Sequence, residues 1–496
     1  MHSEQPSRAA GGLRTGVLGT FDSVVMAVAG CAPAYTVVAM VPALIAAVGS
    51  AAPAVLLLCA LPTVGIALAF RHLGRLDVNC GATYSWVART LHPVLGFLSG
   101  WAVIVATTVF MISSTEPAGA ATLSLVSENL ARNEGIATAV GLGWFLLVAA
   151  LVALGARIGA RARSVAVGLQ LALLLVVAVA ALARGGHADA LSLTWPDFGH
   201  LDNPHGFTAG ALIAGALFWG WDVTANLSEE TRRGRGGSGL GGLIGLLVTA
   251  ATYLLMTVGA TMVLGPRAGA QGGDFLRAFG DAALPGVGGD LLVLAVLLST
   301  VATLETTLLQ ATRTLFAMGR DRTVPSFLGR LHAGRQTPVV STLVVACLAV
   351  LVLGLIAFVG RGFGILALAL VSIGLLICFY YALAGLAVVV AFRSVVFRSL
   401  GNLLFLGLWP LAGAAFNIWL FAVSVPVLDA TELSIGLGAL ALGLVPVTVA
   451  RLRGGSSYFR PRPLNPKDAD ALDAHLAEAA PFVPAAERRD GILSDF

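Results

Sequence analysis

Twelve apolar runs of about twenty residues each divide this 496-residue chain, and each is long enough to cross a hydrocarbon layer of about 30 Å as a helix. The gaps between the runs alternate in charge. Even gaps carry Arg71, Arg75 and Arg89; Arg157, Arg161 and Arg163; Arg232, Arg233 and Arg235; Arg320, Arg322, Arg330 and Arg335; and Arg393 and Arg398. Odd gaps carry only Arg132, Arg184, Arg267, Arg277 and Arg361. With both termini added, the even side holds 24 of the 30 basic residues and the odd side 5, while Arg313 lies inside a run. Basic residues beside a span resist translocation, so the even gaps and both termini are read as cytoplasmic. A miscounted helix would invert the pattern downstream of it. The alternation therefore supports an all-α integral membrane protein with about twelve transmembrane helices in the inner (cytoplasmic) membrane.

Hydrophobic residues make up 57% of the chain and charged residues 11%, outside the balance of a soluble globule. The formal charge of +4 follows from the cytoplasmic bias and calls for no nucleic acid partner. None of the five cysteines falls in an odd gap, so no disulfide framework is implied. Val28-Ala29-Gly30-Cys31 has the look of a lipoprotein signal, but Asp22 interrupts its apolar core and the apolar stretch continues to Ala47. An uncleaved first span is the simpler reading. There is no metal cluster, nucleophilic triad or phosphate loop in the sequence, and the Gly-rich run 234–243 lacks a following Lys-Ser/Thr. The reading is a non-enzyme with no cofactor.

The organisation follows: a cytoplasmic arm at 1–15, a ten-helix core at 16–390, helices 11 and 12 at 391–452, and a polar tail at 453–496. The tail opens with Arg460-Pro461-Arg462-Pro463 and offers a short acidic helix at 467–480. Span 1, at 16–48, contains Gly30-Cys31-Ala32-Pro33-Ala34. Span 6, at 207–227, contains Phe218-Trp219-Gly220-Trp221-Asp222. Gly and Pro free backbone groups that cannot stay unpaired in lipid, so these breaks must face a cavity or a ligand. Gly and Pro also serve as packing and kink residues in membrane helices. Two breaks five spans apart, in oppositely oriented helices, point to the central site of a transporter.

Three stretches carry a family resemblance. The first is Gly81-Ala82-Thr83-Tyr84-Ser85-Trp86 with Gly96-Phe97-Leu98-Ser99-Gly100-Trp101. The second is Phe218 to Asp222 through Ser228-Glu229-Glu230-Thr231. The third is Ala311-Thr312-Arg313-Thr314-Leu315-Phe316-Ala317-Met318-Gly319-Arg320-Asp321, closing with Pro325 and Thr337-Pro338. Over about 16–452 the chain resembles the amino acid–polyamine–organocation permease superfamily. The resemblance implies a five-plus-five inverted-repeat fold like that of the leucine transporter, with broken helices 1 and 6. It implies a substrate held between those breaks, with walls from spans 3, 8 and 10. Free amides after a break suit a carboxylate, and a buried acid or free carbonyls suit an ammonium. The departures are Ala32-Pro33-Ala34 where many members have Gly-small-Gly, Asp222 where Glu is usual, Arg232-Arg233 in place of Asn-Pro, and no lysine in the span 5 run Leu171 to Val179.

The candidate substrate contacts are Gly30, Cys31, Ala32, Pro33, Ala34, Thr107, Thr108, Trp219, Gly220, Trp221, Asp222, Thr303 and Thr307. Trp219 and Trp221 lie about 200° apart on a regular helix, so a regular helix would turn at most one to a pocket. Thr107 and Thr108 have the alternative of bonding their own backbone. Coupling or gating candidates are Asp222, Glu305, Glu116, Glu229 and Glu230, because ionisable groups inside a membrane are costly unless used or paired. Thr300, Thr303, Thr307, Gln310 and Thr314 share one face of span 8, with Glu305 nearly opposite. No metal site is assigned; Ser299, Thr300 and Thr303 carry the hydroxyls a sodium ion would need. The function implied is secondary active transport of an amino acid or related amine by alternating access, proton-coupled or by exchange. The alternatives are a sodium symporter of another nitrogenous solute, or a transport-dead sensor or scaffold of the same fold. Membrane lipid is the other partner.

Overall fold

The structure, a computed structural model, describes residues 12–155, 159–186, 204–232, 235–270, 275–359 and 362–466. The expectations for Arg157, Arg233 and Arg361 and for the helix at 467–480 lie outside them. Among the described residues ten helices are long and apolar enough to cross a membrane, and there is no strand, only an isolated bridge between Leu18 and Thr231.

In chain order, α1 (Thr20–Gly30) and α2 (Pro33–Val48) form the first broken pair, followed by α3 (Ala52–Leu76). A tight turn leads to α4 (Thr83–Thr90) and the long α5 (Pro93–Ser124). The short α6 (Glu128–Ala131) precedes α7 (Glu134–Leu154) and α8 (Ala160–Arg184). The second broken pair is α9 (Pro204–Leu217) and α10 (Val223–Asn226). Then come α11 (Gly237–Leu264), α12 (Phe275–Ala283), α13 (Gly288–Arg320), α14 (Val339–Val359) and α15 (Gly362–Ala391). The last part holds α16 (Leu400–Asn402), a π-helix at Leu403–Leu408, α17 (Trp409–Ser424), α18 (Ala430–Leu442) and α19 (Leu444–Arg453). The α12 helix was not anticipated from the sequence. Its nine residues are too few to span, and it lies against α13 and α8 with Phe275 and Phe279 buried.

Position in the bundle follows from the residues. Every residue of α13 from Ala302 to Thr314 is buried, and this helix touches α5, α7, α8, α12 and α14. Its threonines satisfy their hydroxyls on carbonyls one turn back, which lets polar residues sit at the centre. The peripheral helices behave oppositely. Leu146 and Leu147 on α7, Val176 and Val179 on α8, and Leu348 and Leu351 on α14 are all exposed. Apolar side chains displayed on the outside over polar ones held inside are what a lipid surround selects.

Candidate functional site

The first break is short. After Gly30 only Cys31 and Ala32 separate α1 from α2, and Ala32 takes a left-handed conformation (φ 48°, ψ 58°) that costs a residue with a Cβ about 1 kcal/mol. Pro33 at the first position of α2 has no amide to lose. The carbonyls freed at the break find side-chain partners, two of them from distant helices. Ala29 O accepts from Thr303 Oγ1 at 2.7 Å, and Cys31 O accepts from Tyr253 OH at 2.8 Å and Thr36 Oγ1 at 2.9 Å. At the start of α2, the Tyr35 amide approaches Ser299 Oγ at 3.4 Å, while the Ala34 amide has no acceptor within its own helix.

The second break turns at Gly220 (φ 103°), and the two breaks touch through their glycines. A Cβ on Gly30 would run into the Gly220 carbonyl, and a Cβ on Gly220 into the Gly30 carbonyl. Beside this contact lies Asp222, 1% exposed at the mouth of α10. Its carboxylate accepts from Gln310 Nε2 at 2.9 Å, Tyr380 OH at 3.0 Å and Tyr381 OH at 3.1 Å. Trp219 Nε1 donates to the Tyr380 oxygen at 2.6 Å. The acid thus ties the second break to α13 and α15.

On the α2 and α9 side of the breaks is a cavity of about 40 Å³, lined by Gly30, Cys31, Thr36, Met40, Leu217 and Trp219 among others. That volume holds a few waters at most, so an amino acid requires opening. An aromatic cluster covers it: Phe110 meets Tyr35 edge-on at 6.1 Å and Trp219 at 5.2 Å.

The opposite side, beyond α1 and α10, is locked by charge. Glu230 and Arg313, 3% and 0% exposed, pair through two bonds of 2.9 and 3.4 Å. Arg320 grips Glu229 with bonds of 2.9 and 3.0 Å, and the Cys80 amide adds another at 2.9 Å. Burial works against the charge of Glu229, but Arg320 and the Cys80 amide prevail and hold its carboxyl below its ordinary value. The chain before α1 is stitched to this exit: the Val17 and Leu18 amides donate to Glu230 O, and the Arg232 amide donates to Leu18 O at 2.7 Å. Asn226 Nδ2 bonds Cys80 O and Thr314 Oγ1.

The sequence matches the family model described as "Amino acid permease" over residues 18–449. The chain belongs to the amino acid permease family. It is also similar to the branched-chain amino acid permease BcaP of Bacillus subtilis (strain 168), 27% identical over 282 residues. The match covers 53% of this chain and 58% of that protein, less than two thirds of the relative's length.

In this permease the residues singled out from the sequence fall into several distinct places. Gly30, Cys31 and Trp219 line the cavity, with Ala32, Pro33 and Ala34 following at the first break. Gly220 forms the contact between breaks, and Asp222 and Trp221 sit behind it, Trp221 packed on Phe70 and Tyr381. Thr303 reaches the first break, whereas Thr107, Thr300 and Thr307 bond carbonyls of their own helices and Thr108 Oγ1 has no partner among the described residues. Ser299 meets the Tyr35 amide. Glu305 pairs with Arg163 of α8 in a buried contact, away from the cavity lining. Glu116 is half-buried on α5. Sequence reasoning missed Tyr380, Tyr381, Tyr35 and Phe110. The adjacent tyrosines in the middle of an otherwise apolar span were the available signal.

Proposed function

We propose that this permease is a secondary active transporter that moves an amino acid with an apolar side chain across the cytoplasmic membrane by alternating access. The observation that carries the reading is the cavity at the touching breaks, whose wall is apolar apart from Cys31, Thr36 and the ring edges of Tyr35 and Trp219. In this reading the amides opening α2 receive the carboxylate, the carbonyl ends of α1 and α9 receive the ammonium, and Met40, Phe110, Ala216 and Leu217 receive the side chain. The named substrate class of the relative agrees with such a wall.

The chain makes twelve crossings in this account, with α1–α2 and α9–α10 as the broken first and sixth, in two inverted sets of five plus α17 and α18–α19. The Glu230–Arg313 side faces the cytoplasm, in keeping with the basic even gaps. Asp222 carries the coupling as a relay. It joins the second break to Gln310, Tyr380 and Tyr381, so a proton or substrate arriving there changes the link between span 6 and spans 8 and 10. Sodium coupling has one supporting observation, the gathering of Ser299, Thr303 and the Ala29 carbonyl at the first break. Uptake of labelled leucine, valine, lysine and glutamate into proteoliposomes, with proton or sodium gradients imposed separately, tests all of this. Saturable leucine or valine uptake driven by pH or by trans-side substrate is the expected result. Preference for a charged amino acid would overturn the substrate class, and uptake that needs sodium alone would overturn the role given to Asp222.

A further inference from the structure

A second, larger cavity lies away from the breaks. It is a groove of about 950 Å³ between α3, α11, the end of α15 and the segment leading into α17. One end is basic, with Arg71, Arg75 and Arg398 around His72. The other end is apolar, with Val64, Leu68, Leu247 and Phe405 running down to Trp409. We propose that this groove binds an anionic phospholipid, its phosphate at the three arginines and an acyl chain along the apolar wall.

Charge is the first argument. Arg71 and Arg75 come from one cytoplasmic gap of the sequence and Arg398 from another more than 300 residues on, yet the fold brings them to one groove. Topology needs basic residues on one side of the membrane but does not need them to converge. Among the described residues none of the three forms an ion pair or donates a side-chain hydrogen bond, whereas Arg89, Arg313 and Arg320 are each held by an acid. Three unpartnered guanidiniums facing one cavity leave room for a doubly accepting, negatively charged group such as a phosphate diester.

Dimensions are the second argument. Val64 and Arg75 lie eleven residues apart on α3, a rise of about 16 Å. That is about half of a hydrocarbon layer of about 30 Å, the depth of a single leaflet. The floor is the Trp409 indole, whose Nε1 is spent on Leu61 O at 2.7 Å and so offers the groove only its ring. Leu247 and Phe405 are exposed, so the apolar end opens toward the bilayer. The wall carrying Phe405 and Leu406 is the π-helix Leu403–Leu408, a widened turn of the kind found at functional sites. Basic groups at one end and one leaflet's length of apolar wall at the other match a lipid better than any soluble anion, and basic pockets between helices at the cytoplasmic face are suited to anionic headgroups.

The test is native mass spectrometry of the full chain released from nanodiscs of mixed phosphatidylglycerol and phosphatidylethanolamine. The wild-type protein should retain phosphatidylglycerol in preference. Each Arg→Gln change at 71, 75 or 398 should weaken retention about fivefold and the triple change about a hundredfold. The triple Arg→Lys variant should keep most of the preference, and Arg330→Gln with Arg335→Gln, outside the groove, should change nothing. Leu247→Trp, which fills the apolar end with the arginines intact, should also lose the lipid and serves if the triple Gln variant fails to reach the membrane. Equal retention of both lipids, or full retention by Leu247→Trp, would overturn the proposal. So would displacement by millimolar inorganic phosphate, which would make the site one for a free anion. Retention seen only after deletion of 467–496 would overturn it too, by making the acidic tail that follows Pro466 the occupant.

Discussion

The two sides of the touching breaks close by different physics. On the α10 side, closure rests on ion pairs and backbone hydrogen bonds: Glu230 with Arg313, Glu229 with Arg320, and the Leu18 to Thr231 stitch. On the α2 side it rests on the rings of Tyr35, Phe110 and Trp219 over a cavity of about 40 Å³. A buried ion pair is costly to break because each charge is left without a partner in a medium of low dielectric. Edge-to-face rings exchange partners for about 1 kcal/mol per contact. The comparison teaches that opening the ring side is the cheaper of the two motions. In the proposed alternating-access cycle, a substrate met from the ring side would have little to undo, and the free energy of coupling would be needed on the charged side.

The largest effect expected falls on the charged side. Glu230→Gln leaves Arg313 buried without its counter-ion and should destabilise the protein by about 3–5 kcal/mol, read as a lowered melting temperature. Adding Arg313→Met should recover part of the loss. No change in melting for the single variant would erase the distinction between the two sides. Next is Gly220→Ala, which sets a methyl group against the Gly30 carbonyl at a backbone angle suited to glycine. Overpacking of about 1–3 kcal/mol should abolish uptake while protein remains in the membrane, and normal uptake would show that the breaks need not touch.

The Asp222 cluster sharpens the comparison, because it spans both sides. Asp222→Asn should abolish or severely weaken gradient-driven uptake. Tyr380→Phe and Tyr381→Phe should each cost about 1.5–3 kcal/mol, a ten- to hundredfold loss in uptake efficiency, since each removes a bond to a charged group. Exchange that survives in Asp222→Asn while pH-driven accumulation disappears would assign the acid to coupling; joint loss would assign it to binding.

The smallest effect concerns pH. The Glu229 carboxyl is held below its ordinary 4.5, so its pairing contributes stability that is fully present above that value and is lost as pH falls through the depressed one. Asp321 runs the other way: burial raises its carboxyl against the opposing pull of Arg320, so it detracts at neutral pH and relaxes on acidification. Arg320→Met should remove the acid-side decline in melting temperature. A decline unchanged in that variant would place the titration elsewhere.

Much of this was legible in residue order and some was not. Length and hydropathy mark most spans, and helix breakers mark both interruptions, because a backbone in lipid has few alternatives. The polar stripe on α13 was visible at helical spacing. In the structure Thr303, Gln310 and Thr314 of that stripe meet the first break, Asp222 and Asn226 respectively. The 200° between Trp219 and Trp221 also carried information, since Trp219 lines the cavity and Trp221 is packed behind. What could not be read was partnership across distance. Nothing near Asp222 in sequence announces Tyr380 or Tyr381, nothing near Glu305 announces Arg163, and α12 is too short to stand out from its loop. Those depend on which helix faces which, a property of packing rather than of local pattern.

Thiol labelling of the two sides tests the central claim most directly. In a chain stripped of its five natural cysteines, one reporter replaces Met40 beside the cavity and another replaces Ser228 beside the charged lock. The account predicts that Met40→Cys is labelled by a membrane-impermeant maleimide and protected by leucine, whereas Ser228→Cys is unreactive until Glu230→Gln and Arg313→Met release the lock. Equal reactivity of both reporters in the intact protein, or a Ser228→Cys that stays silent after the lock is removed, would contradict it.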